Sequence, residues 1–177
     1  MEETSTHVTP GKHAVTYGII LGVILILISI IMYVTGMALE GVQWPMYLYY
    51  VIFPVTLFIA IKTFKADNGG FLSLGEAMKV GVAAAVISAV IFLLYNLVFN
   101  YLIEPTWTEQ VMDATRDKLN EAGTMTEEQV ETTLEYMSWG SDPLIGGAIW
   151  VAMSTFFGLI YSLIIGAIMK QNRPYEV

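Results

Sequence analysis

Residues 80–99 carry no formal charge, and they sit inside a longer apolar stretch, residues 71–103, FLSLGEAMKVGVAAAVISAVIFLLYNLVFNYLI. At a helical rise of about 1.5 Å per residue, such a run covers the roughly 30 Å hydrocarbon core of a bilayer. The stretch predicts a membrane-crossing helix. Ser73 and Glu76 form an S-x-x-E capping box that sets its start, and Pro105 beyond its far end cannot continue it.

Three more segments follow the same logic. Residues 14–33 are apolar throughout, longer than the h-region of a signal peptide and without a small-x-small cleavage site, so they predict an uncleaved first span. Residues 1–12 ahead of them are polar and broken by Thr9, Pro10 and Gly11, which predicts a frayed tail. Residues 44–62 predict the second span, with Trp44, Tyr47, Tyr49 and Tyr50 crowding one end as amphipathic rings do at headgroup level. Pro54 should kink it, the freed carbonyl being met by a neighbouring helix or by Thr56; such a kink is either packing geometry or a gate. Residues 143–169 predict the fourth span, with Ser141 or Asp142 as N-cap and Pro143 at the first helical position.

Composition supports this class: 55% of the 177 residues are hydrophobic, 14% are charged, and mean hydropathy is +0.61. The net charge of −8 is local, because ten of the sixteen acidic residues lie between Glu104 and Asp142. There is no cysteine, which excludes disulfides, thiolate metal sites and a cysteine nucleophile. The predicted fold class is all-α, an integral membrane four-helix transmembrane bundle with a short extracytoplasmic amphipathic helical pair between the third and fourth spans. Its divisions are a cytoplasmic tail over 1–13, spans one to three over 14–103, the acidic insert over 104–142, span four over 143–170 and a second tail over 171–177.

Orientation follows from cations near the span ends. Lys12, Lys62, Lys65, Lys79, Lys170 and Arg173 fall on one side, against Arg116 and Lys118 on the other. Both termini are expected in the cytoplasm and the insert outside. Within the insert, Thr106 with Glu109 and Thr126 with Gln129 predict two capping boxes, and Gly123 a helix stop between them. The acidic faces should stand in water and repel anionic headgroups. They form either a solvated cap or a docking face for a basic partner or divalent cations, although no D-x-D-x-D-G calcium loop is present.

Polar residues in the spans are the natural candidates for function. Glu76 and Lys79 lie one turn apart at the cytoplasmic end of the third span, where Lys79 is expected to snorkel and pair with Glu76. Asn96 and Asn100 share a face near the other end and are expected to join helices. His7 and His13 fall in the tail and are expected to be solvated. No H-E-x-x-H, G-x-S-x-G or intramembrane aspartate pair occurs, so no catalytic residue, metal site or cofactor is expected. No nucleic-acid partner is expected either.

Small residues form the one repeated pattern. Ala77, Gly81, Ala85 and Ala89 recur every fourth residue on the third span, and Ser154, Gly158, Ser162 and Gly166 on the fourth. Gly18 and Gly22 add a G-x-x-x-G on the first. Because lipid tails are as apolar as leucine, such ridges give membrane helices close contact with one another. They either hold the bundle together, or one of them faces outward to make a homo-oligomer or dock another membrane protein.

YGIILGVILILISI in the first span, NGGFLSLGEAMKVG leading into the third, YNLVFNYLIEP before the insert and DPLIGG opening the fourth together resemble the bacterial family DUF4199, a domain of unknown function. The resemblance spans nearly the whole chain. It implies a multi-pass protein of the bacterial inner (cytoplasmic) membrane and carries over no functional residue. The expected function is that of a non-enzymatic structural or interaction module in the lipid bilayer, an oligomer or accessory subunit. The alternative is a small transporter or channel, for which the absence of central charges argues against ion coupling but not against an apolar substrate.

Overall fold

The computed structural model describes residues 9–173; His7 lies outside them. Four long helices, α1 (Pro10–Val34), α2 (Trp44–Asp67), α3 (Leu74–Val98) and α6 (Pro143–Met169), are each long and apolar enough to cross a membrane, α3 being lengthened by a π-helical turn over Phe99–Ile103. Two shorter helices, α4 (Trp107–Ala122) and α5 (Glu127–Ser141), make up the insert. The chain is an all-α membrane bundle. Exposed Val34, Val51, Leu102 and Ile168 on the outer faces of the long helices are what lipid, rather than water, accommodates.

α3 stands in the middle, packed most extensively on α1 and α6 and also touching α2. Leu21, Leu25, Leu57, Ile61, Phe64 and Val80 are fully buried around it. Caps fix several boundaries. The Ser73 hydroxyl accepts from the Glu76 amide while the Glu76 carboxylate accepts from the Ser73 amide, and Thr126 with Gln129 repeats the arrangement at α5. Asp142 Oδ1 accepts from the amides of Leu144 and Ile145, with Pro143 at the first position of α6. Gly123, at φ 61°, closes α4 in the left-handed conformation.

Five expectations are corrected. α1 begins at Pro10, inside the stretch assigned to the tail, because extended Thr9 presents proline at a position whose missing N–H costs nothing. His13 thereby lies on the second turn of a helix and is buried, its Nε2 2.9 Å from Asp67 Oδ2 and its ring edge-on to Phe64. α2 continues past Lys62, where the second span was expected to end, to Asp67, so Lys65 is helical. Lys79 makes no ion pair among the described residues: the Glu76 carboxylate is already occupied by the Ser73 amide and hydroxyl and by Asn68 Nδ2. Thr106 does not form the expected box with Glu109, because its hydroxyl donates to Glu104 Oε1 at 2.6 Å and its backbone is not extended.

The end of the bundle opposite the insert is clasped. Leu72 and Gln171 exchange backbone hydrogen bonds in both directions, each 2.9 Å, joining the α2–α3 loop to the segment after α6. Arg173 donates to Asn68 Oδ1 and lies over the Phe71 ring, while Lys65 Nζ donates to the Met169 carbonyl that ends α6. Gly69 and Gly70, both at positive φ, let the loop turn tightly enough to meet that segment.

Candidate functional site

The small-residue faces come first, since they decide which surfaces remain free. A Cβ added to Gly158 would stand 2.5 Å from Ala85 Cβ, one added to Gly166 would stand 2.7 Å from Ala77 Cβ, and one added to Gly81 would collide with the Ser162 side chain. The ridges of α3 and α6 face each other. Gly18 and Gly22 of α1 lie against Ile87 and Ile91 of α3 in the same way. Ala77, Gly81, Ala85, Ala89, Ser154, Gly158, Ser162 and Gly166 are all buried inside one chain. Backbone contact this close is available only where side chains are absent or short.

At the insert end, Glu104 is a junction of three elements. Its carboxylate accepts from Tyr33 of α1 at 3.1 Å, from Thr106 at 2.6 Å and from Gln110 of α4 at 3.2 Å. These donors, Thr106 first, hold its carboxyl below the usual carboxylate range by stabilising the ionised form. Tyr33, Phe99 and Trp107 pack edge to face with centroids 5.0 to 5.8 Å apart. Lys118 of α4 reaches the Leu39 carbonyl in the α1–α2 turn. The acidic pair is thus fastened to the spans.

From that triad a column of rings runs into the bundle. Phe99 meets Tyr95, Tyr95 stacks on Phe92, Phe92 meets Trp150 of α6, Trp150 meets Tyr49 of α2, and Tyr49 leads through Phe53 to Tyr161, with centroids 5.5 to 6.0 Å apart. Beside the column lie three cavities. One of about 260 Å³ between α2 and α6 is walled by Phe53, Trp150, Met153, Phe157 and Tyr161. A second, of about 160 Å³, adjoins Phe92, Asn96 and Trp150, and a third, of about 200 Å³, lies under the insert beside Asn100, Thr108 and Asp142.

A family model of proteins of unknown function matches residues 16–171, from the second turn of α1 to the clasp residue Gln171. The chain belongs to DUF4199. No curated protein and no solved structure matches it. The DUF4199 match takes in all four spans, the insert and the cavities, so the architecture described above falls within the family's extent.

Among the polar candidates, Asn96 donates to the Phe92 carbonyl and Asn100 to the Asn96 carbonyl, both within their own helix, while Asn100 Oδ1 accepts from Thr108 at the start of α4. Asn100 therefore ties the insert to α3 rather than one span to another. Glu76 and Lys79 sit at the clasp end, away from the cavities. Among the described residues, no group of three His, Asp or Glu side chains gathers where a metal ion could be held. The ring column was missed in the sequence, although Phe92, Tyr95 and Phe99 already shared one helical face at spacings of three and four.

Proposed function

We propose that this DUF4199 protein is a non-enzymatic membrane module that holds the α4–α5 pair as a rigid acidic platform outside the cytoplasm, for a basic partner protein. The observation that carries the reading is the fastening of the insert. Glu104, Trp107, Thr108 and Lys118 secure it to α1, to the α1–α2 turn and to the far end of α3. A cap that served only to keep a loop in water would need none of these ties. Because the small-residue faces are consumed within one chain, a partner or a second copy has the platform and the lipid-facing sides left to bind. The placement outside the cytoplasm rests on the six cations at the opposite end.

Crosslinking and affinity purification from native membranes test this. A stoichiometric partner released by high salt supports the platform; a solute flux carried by the purified protein alone in liposomes overturns it. That second outcome would favour a small transporter, the reading supported by the apolar cavity between α2 and α6.

A further inference from the structure

The three cavities adjoin in a row, neighbouring ones sharing wall residues. The large one has Tyr50, Ile149, Met153 and Phe157 at its exposed, lipid-facing rim. Gly146 and Trp150 line both this cavity and the second, and Asn96, Gly146 and Gly147 line both the second and the third. Polarity rises along the way, from aromatic rings to the side chains of Asn96, Asn100 and Thr108. Among the described residues no Lys or Arg lines any of the three, and the one acid, Asp142, uses Oδ1 to cap α6.

Two polar groups at the middle of this path are unused. Asn96 gives an N–H to Phe92, while its Oδ1 accepts from no side chain or amide among the described residues. The indole N–H of Trp150 is buried and makes no hydrogen bond among the described residues. A buried donor left without an acceptor is penalised, and a ligand oxygen brought beside it removes the penalty.

We propose that the adjoining cavities act as one compartment and bind an uncharged amphiphile, with its hydrocarbon tail among the rings between α2 and α6 and a hydroxyl- or carbonyl-bearing head beside Asn96 and Trp150. The apolar wall fits a tail. A phosphate or carboxylate head would find no cation and would approach Asp142, so charge selects against ionised lipids. The site is independent of whatever the acidic platform docks.

The test uses the full chain in phosphatidylcholine nanodiscs, loaded with 1-monooleoylglycerol, farnesol or, as the charged control, oleate, and read by native mass spectrometry after release. One equivalent of either uncharged probe should be retained at least about tenfold better than oleate. Retention of the first points to a glycerolipid, and of the second to an isoprenoid alcohol. Ile149→Trp, at the exposed rim, should fill the cavity and lower retention about tenfold with the melting temperature unchanged. Asn96→Leu should weaken both probes, with Met153→Phe as the second filling variant if Ile149→Trp fails to fold. Equal retention of oleate, retention of neither uncharged probe, or undiminished retention in a folded filling variant overturns the proposal.

Discussion

The Tyr33 hydroxyl donates to the Glu104 carboxylate at 3.1 Å across 71 positions of sequence, joining the far end of the first span to the segment that leaves the third. Glu104 is ionised in this arrangement, and its pKa is lowered on folding. Its contribution is therefore complete above the ordinary carboxylate range and is lost as pH falls through the lowered folded value. Acidification should loosen the start of α4, seen as faster amide exchange around Trp107. In Glu104→Gln that acid-dependent step should vanish. Tyr33→Phe, which removes one donor, should move it to higher pH.

The facing ridges predict a compensating pair. Gly158→Ala brings a methyl into Ala85, and overpacking of this kind costs about 1–3 kcal/mol. Adding Ala85→Gly should recover part of the loss, with a coupling of about 0.5–3 kcal/mol in a double-mutant cycle of thermal unfolding in detergent. Gly158→Leu and Gly81→Leu should be worse than Gly158→Ala. Gly75→Ala has open space around it and should be neutral or stabilise by up to about 1 kcal/mol. If Gly158→Ala, Gly158→Leu and Gly81→Leu all melted with the parent protein, the ridge argument would be removed.

His13 and Asp67 link the starting turns of α1 to the end of α2. Asp67 is half exposed, so Asp67→Asn should cost no more than about 1 kcal/mol. His13→Ala also opens space beside Phe64 and should cost more. Unfolding of the two variants under identical conditions gives the comparison, and the reverse order would contradict the burial of the imidazole.

Ending the chain at Lys170 deletes Gln171 and Arg173 and with them both halves of the Leu72 bridge. At a net value of roughly 1 kcal/mol per hydrogen bond, the α2–α3 loop should exchange its Leu72 amide about tenfold faster or more, while amides in the middle of α3 stay unchanged.

Topology has its own check. A single cysteine at Glu128 should react with a membrane-impermeant maleimide on intact cells, and one at Gly69 only after the membrane is opened. The opposite pattern would invert the proposed orientation.

Local features of this fold were legible before the structure. The capping boxes at Ser73 and Thr126, the Asp142–Pro143 start and the Gly123 stop each depend on residues within four positions of one another. The failures came where a local pattern met a nearer or longer-range competitor. Thr106 matched a cap until Glu104, two residues earlier, took its hydroxyl, and Lys79 lost Glu76 to the cap that the same glutamate completes. His13 looked solvated because only its partner 54 residues away makes it interior. The ring column and the cavities depend on three helices meeting, which periodicity within one helix does not specify.

The central position of α3 bears on the order in which the bundle is made. α1 rests chiefly on α3 rather than on the helix that follows it, so the hairpin synthesised first cannot yet cover Gly18 and Gly22. Those glycines stay bathed in acyl chains until the third helix arrives, and α3 in turn presents its alanine face until the last helix, delayed by the whole insert, comes to close it. A chain halted between the third and fourth spans would therefore leave the Ala77–Ala85 face of α3 open to the bilayer.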